Sequence, residues 1–122
     1  MKKILVVDDQ AEIREMITDH FSFRGYRVLS AASVEEGIRL AAAEDPDAIL
    51  LDFGFPQGIQ GDELLIQVKR NSPHIKIVMI TGESREHVRS RMLSLGADAF
   101  FDKGSSLKEI QEEVEKLIAS GS

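Results

Sequence analysis

Two kinds of segment alternate along the chain. Short runs of branched, apolar residues cover Lys3 to Val7, Arg27 to Ala31, Ala48 to Leu51, Lys76 to Ile80 and Ala99 to Phe101. Their length and continuous apolar character predict strands buried on both faces. Between them, apolar residues recur at helical spacing. Ile13, Ile17 and Phe21 form one such set, and Val34, Ile38 and Ala41 a second. Leu64 pairs with Val68, and Val88 and Met92 lead on to Leu95. The clearest stripe is Leu107, Ile110, Val114, Leu117 and Ile118. Spacing by three and four puts each set on one helix face, ready to cover a sheet.

The punctuation agrees. Ser33 with Glu36 and Ser106 with Glu109 have capping-box spacing. Gly25 and Gly96 stand where a helix stops and the chain turns back. Asp45-Pro46-Asp47 reads as a turn before the third strand. Five strands alternating with five helices predict right-handed crossovers and an α/β, doubly wound, five-stranded parallel sheet with helices on both faces.

Composition narrows the picture. The 122 residues suit one domain, expected over 1–119 with Ser120-Gly121-Ser122 as a flexible tail. With 43% hydrophobic and 30% charged residues, the chain is that of a globular protein. It has no cysteine, which excludes disulfides, thiolate zinc sites, iron–sulfur clusters and thiol catalysis. The net charge of −6 argues against direct binding of nucleic acid, which needs a concentrated basic face. No apolar run approaches the roughly 20 residues of a membrane span. The start, Met1-Lys2-Lys3 followed by Ile4 to Val7, meets Asp8-Asp9 too soon for a signal peptide. The expected location is cytoplasmic.

In parallel α/β sheets ligands gather beyond the carboxyl ends of the strands. There the chain places Asp8-Asp9, Asp52, Thr81-Gly82 and Asp102-Lys103. Three carboxylates at one rim repel one another unless a cation binds. A cluster rich in oxygen and free of Cys and His suits a hard ion, Mg²⁺ above all. Three Asp, one Mg²⁺ and one Lys sum to zero charge. A phosphoryl group arriving there would meet a metal, an ammonium, a hydroxyl and backbone N–H groups, the usual stabilisers of its transition state.

On these residues the chain resembles the receiver domain of two-component response regulators. Asp8-Asp9 follows the first strand, Asp52 the third with Pro56 four positions on, Thr81-Gly82 the fourth and Lys103 the fifth. Five elements in the right order, across essentially the whole chain, carry the likeness. The resemblance implies a flavodoxin-like sheet of order 2-1-3-4-5. It implies that Asp52 takes a phosphoryl group from a histidine kinase's phosphohistidine or a phosphotransfer protein. Asp8, Asp9, Asp52 and the backbone carbonyl of Gly54 would hold Mg²⁺. Lys103 would pair with the phosphoryl oxygens and Thr81 donate its hydroxyl to them. Phe100 matches the aromatic switch position. Output would be a shift between two states, read by a downstream protein, a fused effector domain or a second copy in a phosphorylation-dependent dimer.

Each residue also has a plainer reading. Asp9, three before Glu12, fits a helix cap. Lys103 alone would be a solvated lysine. One of Phe100 and Phe101 should be core. His20, His74 and His87 share no ligand spacing, and Met16, Met79 and Met92 read as core filler. Arg85, Arg89 and Arg91 beside His87 read either as a solvated face or as a docking surface. Three departures from the family pattern stand out: Gly104 where proline usually follows the lysine, Gly61 five rather than four after Pro56, and Gly54 two after Asp52. Competing functions are a flavodoxin-like cofactor binder, which lacks its phosphate loop here, an aspartyl-phosphate phosphohydrolase, which lacks a cap, and a pseudo-receiver that binds proteins without phosphorylation. Whether such a domain is an enzyme is a matter of definition, since it would act on itself.

Overall fold

The computed structural model describes residues 1–52, 61–81, 86–102 and 104–120, with the backbone alone at Thr81, His87 and Val88. The elements are β1 (Lys3–Val7), α1 (Ala11–Phe23), β2 (Arg27–Ala31), α2 (Val34–Glu44) and β3 (Ala48–Asp52). They continue as α3 (Gly61–Asn71), β4 (Lys76–Thr81), α4 (Glu86–Ser94), β5 (Ala99–Asp102) and α5 (Leu107–Ser120). The five strands pair in parallel in the order β2-β1-β3-β4-β5, as expected. Strands β3, β4 and β5 each run one residue further than their apolar runs, taking in Asp52, Thr81 and Asp102. Helix α5 takes in Ser120, with which the expected tail began.

The period of two along each strand divides the core into two halves. Leu5 and Val7 of β1, Ile49 and Leu51 of β3 and Ile77 and Met79 of β4 face α2, α3 and α4, against Val34, Leu64, Leu65 and Met92. Ile4 and Val6, Ala48 and Leu50, and Val78 face α1 and α5, against Ile17, Phe21, Ile110 and Val114. The central strands are apolar throughout because both faces are covered.

The helix ends follow the sequence with two adjustments. Ser106 and Glu109 close a full capping box, with the Glu109 N–H donating to Ser106 Oγ at 3.1 Å and the Ser106 N–H to Glu109 Oε1 at 3.3 Å. Ser33 Oγ accepts the Glu36 N–H at 3.1 Å, but the Glu36 carboxylate reaches one residue further back, to the Ala32 N–H at 2.9 Å. Gly25 and Gly96 both have positive φ. At the amino ends of the strands, Lys69 Nζ donates to Asp98 Oδ2 at 2.8 Å and to the Ile75 carbonyl at 2.7 Å, tying α3 to the start of β5. Met79 and Met92 are fully buried, but Met16 is 48% exposed, so it is not core filler: it flanks the α1 stripe rather than lying in it.

Gly37, inside α2, lets that helix approach β1. A Cβ there would stand 2.9 Å from Val7 Cγ2 and 3.0 Å from Leu64 Cδ1. Alanine in a helix interior normally gains about 0.5–1 kcal/mol over glycine, whereas overpacking a full core costs about 1–3 kcal/mol. The second effect is expected to win, so Gly37→Ala should lower stability by about 1 kcal/mol in urea denaturation. A raised midpoint would show that Val7 and Leu64 can yield.

Candidate functional site

The site begins with register. Val7 of β1 pairs with Leu51 of β3, so the next residue on each strand, Asp8 and Asp52, emerge side by side. Alternation puts both on the α1/α5 face, above Val6 and Leu50. Both are only 3% exposed, while Asp9 is exposed. One carboxylate oxygen from each of Asp8, Asp9 and Asp52 lies within 4.8 Å of the other two.

Asp8 is firmly placed. Its N–H extends the β1–β2 ladder to the Ala31 carbonyl at 3.1 Å. Its Oδ1 accepts the Gln10 N–H at 2.8 Å, and its own carbonyl accepts from Arg14 Nη1 at 2.7 Å. The cap of α1 is Gln10, which makes no side-chain cap bond. Asp9 therefore does not serve as the helix cap; its carboxylate joins the acidic group.

At an effective dielectric constant of about 20, unit charges about 5 Å apart repel by about 3 kcal/mol. Folding gathers three carboxylates despite that repulsion, and a cation is what the arrangement suits. The donor set is all oxygen, which fits a hard divalent ion that keeps part of its water shell, as Mg²⁺ does. Beneath the carboxylates a cavity of about 90 Å³ is lined by Val6, Ile17, Leu50, Ile80 and Ile110, with Asp8 and Asp52 at its edge. The acids thus have an apolar floor.

The opposite side of the rim is the β5–α5 connection. Asp102 ends β5, in register with Thr81. Its carbonyl accepts the Ser105 N–H at 3.1 Å and its Oδ1 accepts the Gly104 N–H at 2.8 Å. Lys103, Gly54, Gly82 and the Thr81 side chain lie outside the described residues, as do Pro56 and the side chain of His87. Phe100 is half-buried against the α2–α4 half of the core, and Phe101 against the other half. Neither is fully enclosed. Phe100 also lines a surface cavity with Glu86, Arg89 and Asp102.

The family model for the response regulator receiver domain matches residues 4–115. The chain belongs to that family. Among curated relatives, it is 33% identical over 117 residues to the alkaline phosphatase synthesis transcriptional regulatory protein PhoP of Bacillus subtilis, covering 96% of this chain and 48% of PhoP. It is 32% identical to sporulation initiation phosphotransferase F of the same organism, covering 96% of this chain and 94% of that protein. The chain spans about half the length of several curated relatives it matches, PhoP included. Among solved structures, a CheY-like receiver domain protein from Methanospirillum hungatei superposes with a TM-score of 0.94 at 29% identity, covering 99% of this chain and 96% of that one. The response regulator TrrA of Thermotoga maritima, in complex with Mg(2+)-BeF, does so with a TM-score of 0.86 at 34% identity, covering 96% and 99%.

Receiver domains use Mg²⁺ at an acidic pocket, and Asp8, Asp9 and Asp52 are the acidic group of this one. Other polar candidates have local partners. His20 Nε2 lies 2.8 Å from Gln111 Oε1, and His74 Nε2 lies 2.7 Å from Asp45 Oδ1. Arg91 donates to Asp62 of α3 at 3.0 Å while remaining exposed; Arg89 is exposed too, and Arg85 is outside the described residues. Among the described residues no helix is long and apolar enough to cross a membrane. Sequence reasoning gives Asp102 no role, although an aspartate two before a glycine is a known turn signal.

Binding of Mg²⁺ at this group should stabilise the native chain by about 2.7 kcal/mol at a hundred times its Kd. Thermal unfolding with and without the ion measures it. Asp8→Asn and Asp52→Asn should each reduce the shift, and an equal shift in all three proteins would move the ion elsewhere.

Proposed function

We propose that this chain is a phosphorylation-controlled signalling switch, taking a phosphoryl group onto Asp52 from the phosphohistidine of a sensor histidine kinase or phosphotransfer protein. The observation that carries the reading is Asp52 itself. A carboxylate that closes an apolar strand, is only 3% exposed and is set beside two further carboxylates supports a role in chemistry.

In the transfer, an Asp52 carboxylate oxygen attacks phosphorus. The new O–P bond forms as the P–N bond to the donor imidazole breaks, and the imidazole leaves with the electron pair of that bond. Asp8, Asp9 and Asp52, with the carbonyl of Gly54 carried over from the family pattern, are the residues that would hold Mg²⁺. Bound there, the ion would offset the negative charge that otherwise repels a phosphoryl group. The Gln10 N–H on Asp8 Oδ1 fixes that carboxylate, so little reorganisation is left for the reaction. On the α1/α5 side the two acids border an apolar cavity lined by Val6, Ile17, Leu50, Ile80 and Ile110. By residue-for-residue likeness, Lys103 would pair with the phosphoryl oxygens, Thr81 would donate to them, and Phe100 would follow Thr81 as the switch. The phosphorylated state would then be read by a downstream protein, a fused effector domain or a second copy, in the cytoplasm. PhoP, of which the chain spans half, supports the effector arrangement, and phosphotransferase F the free-standing one.

Incubation with Mg²⁺ and acetyl phosphate, in which acetate is the leaving group, tests the proposal by intact mass. One phosphoryl group should be gained by the native chain and none by Asp52→Asn or without Mg²⁺. Folded, Mg²⁺-binding protein that gains nothing from acetyl phosphate or from a histidine kinase would be a pseudo-receiver.

A further inference from the structure

We propose that Arg14 of α1 is a positioning residue for Asp9, setting the backbone from which that carboxylate joins the acidic group. The inference rests on the reading of Asp8, Asp9 and Asp52 as Mg²⁺ ligands and adds what holds the exposed one of the three. Asp8 and Asp52 are buried, whereas Asp9 is exposed and stands in the connection between β1 and α1. Among the described residues the Asp9 side chain has no hydrogen bond or ion pair of its own. Yet one of its oxygens lies within 4.8 Å of an oxygen of each of the other two. What is left to hold it there is the backbone.

The peptide units on either side of Asp9 are each gripped once. In the unit before it, the Asp8 carbonyl accepts from Arg14 Nη1 at 2.7 Å. In the unit after it, the Gln10 N–H donates to Asp8 Oδ1 at 2.8 Å. A peptide unit is planar, so a bond to its oxygen or its N–H orients the whole unit. The two units meet at the Asp9 Cα, and together they set the direction in which its side chain leaves. Both grips are anchored in regular structure. The Asp8 N–H is bonded to the Ala31 carbonyl at 3.1 Å, and the Arg14 N–H to the Gln10 carbonyl at 3.1 Å in the first turn of α1. The Arg14 side chain is half-buried, which limits how far its guanidinium can wander.

Position and charge act in opposite directions at Arg14. A cation beside three carboxylates weakens their pull on Mg²⁺, so losing its charge alone would tighten binding. Losing the grip on the peptide makes the ion order Asp9 for itself, which weakens binding. The proposal holds that the second effect is the larger.

The experiment measures Mg²⁺ affinity by calorimetric titration and the backbone order of Asp9 by amide NMR relaxation in metal-free protein. Arg14→Met keeps most of the stem but neither charge nor donor. It should bind Mg²⁺ about three- to tenfold more weakly, the cost of ordering one residue less the gain from the lost charge. Its Asp9 amide should become more mobile while Val7 stays as in the native chain. Arg14→Lys, with the charge and a donor on a shorter stem, should fall between the two. In an Asp9→Ala background, Arg14→Met should weaken binding no further. Equal or tighter binding by Arg14→Met, an unchanged Asp9 amide, or the same weakening with and without the Asp9 carboxylate would each overturn the proposal. If Asp9→Ala alone binds Mg²⁺ as the native chain does, the reading of Asp9 as a ligand is wrong and Arg14 has nothing to position.

Discussion

The register between β1 and β3 is the constraint on which the rest of the site depends. Because Val7 stands opposite Leu51, Asp8 and Asp52 arrive at the rim together and on the same face. A slip of one residue would send every side chain of one strand to the other face, replacing Leu50 by its neighbours in the α1/α5 core and turning Asp52 toward α2 and α3. The apolar packing on both sides forbids that. Ile4, Val6, Ala48 and Leu50 fit one half of the core, and Leu5, Val7, Ile49 and Leu51 the other, all of them almost fully buried. The carboxylates are therefore positioned by residues that have no chemistry of their own.

That division also explains how the fold tolerates its site. Gathering three acids costs free energy in the absence of a cation, and burying two of them to 3% exposure adds to it. The core beneath can bear this because β1, β3 and β4 are covered on both faces. The cost is concentrated where a cation would relieve it. An acidic group on a surface loop would simply spread apart, and would give an arriving phosphoryl group nothing fixed to meet.

Much of this is legible in the sequence, for a physical reason. Buried parallel strands are continuous apolar runs, so their ends are marked by the first charged residue, and Asp8, Asp52 and Asp102 come at such ends. Alternation with amphipathic helices then determines the class of sheet. One-dimensional reading cannot supply the competition between neighbours. Asp9 and Glu12 have capping spacing, but Gln10 takes the cap position and the Asp9 carboxylate lies with those of Asp8 and Asp52 instead. Met16 reads as core from its type alone, although Ile13, Ile17 and Phe21 fill the stripe without it. Arg91 stays exposed, and its bond to Asp62 of α3 is a pairing that spacing along one helix does not show. Residue type and spacing along one element do not show which neighbours a side chain meets once the elements pack.

The two sides of the rim are anchored differently. Asp52 belongs to a strand, and Asp8 continues one through its bond to Ala31, so their separation is fixed by sheet geometry that a ligand can change little. Asp102 is also a strand residue, but the chain leaves it through a turn held by two bonds, one of them to an exposed side chain. A hydrogen bond of that kind is worth about 1 kcal/mol net, far less than the packing beneath the acids. The acids stand on a platform held by packing on both faces, whereas the start of the β5–α5 connection is held by the two bonds to Asp102.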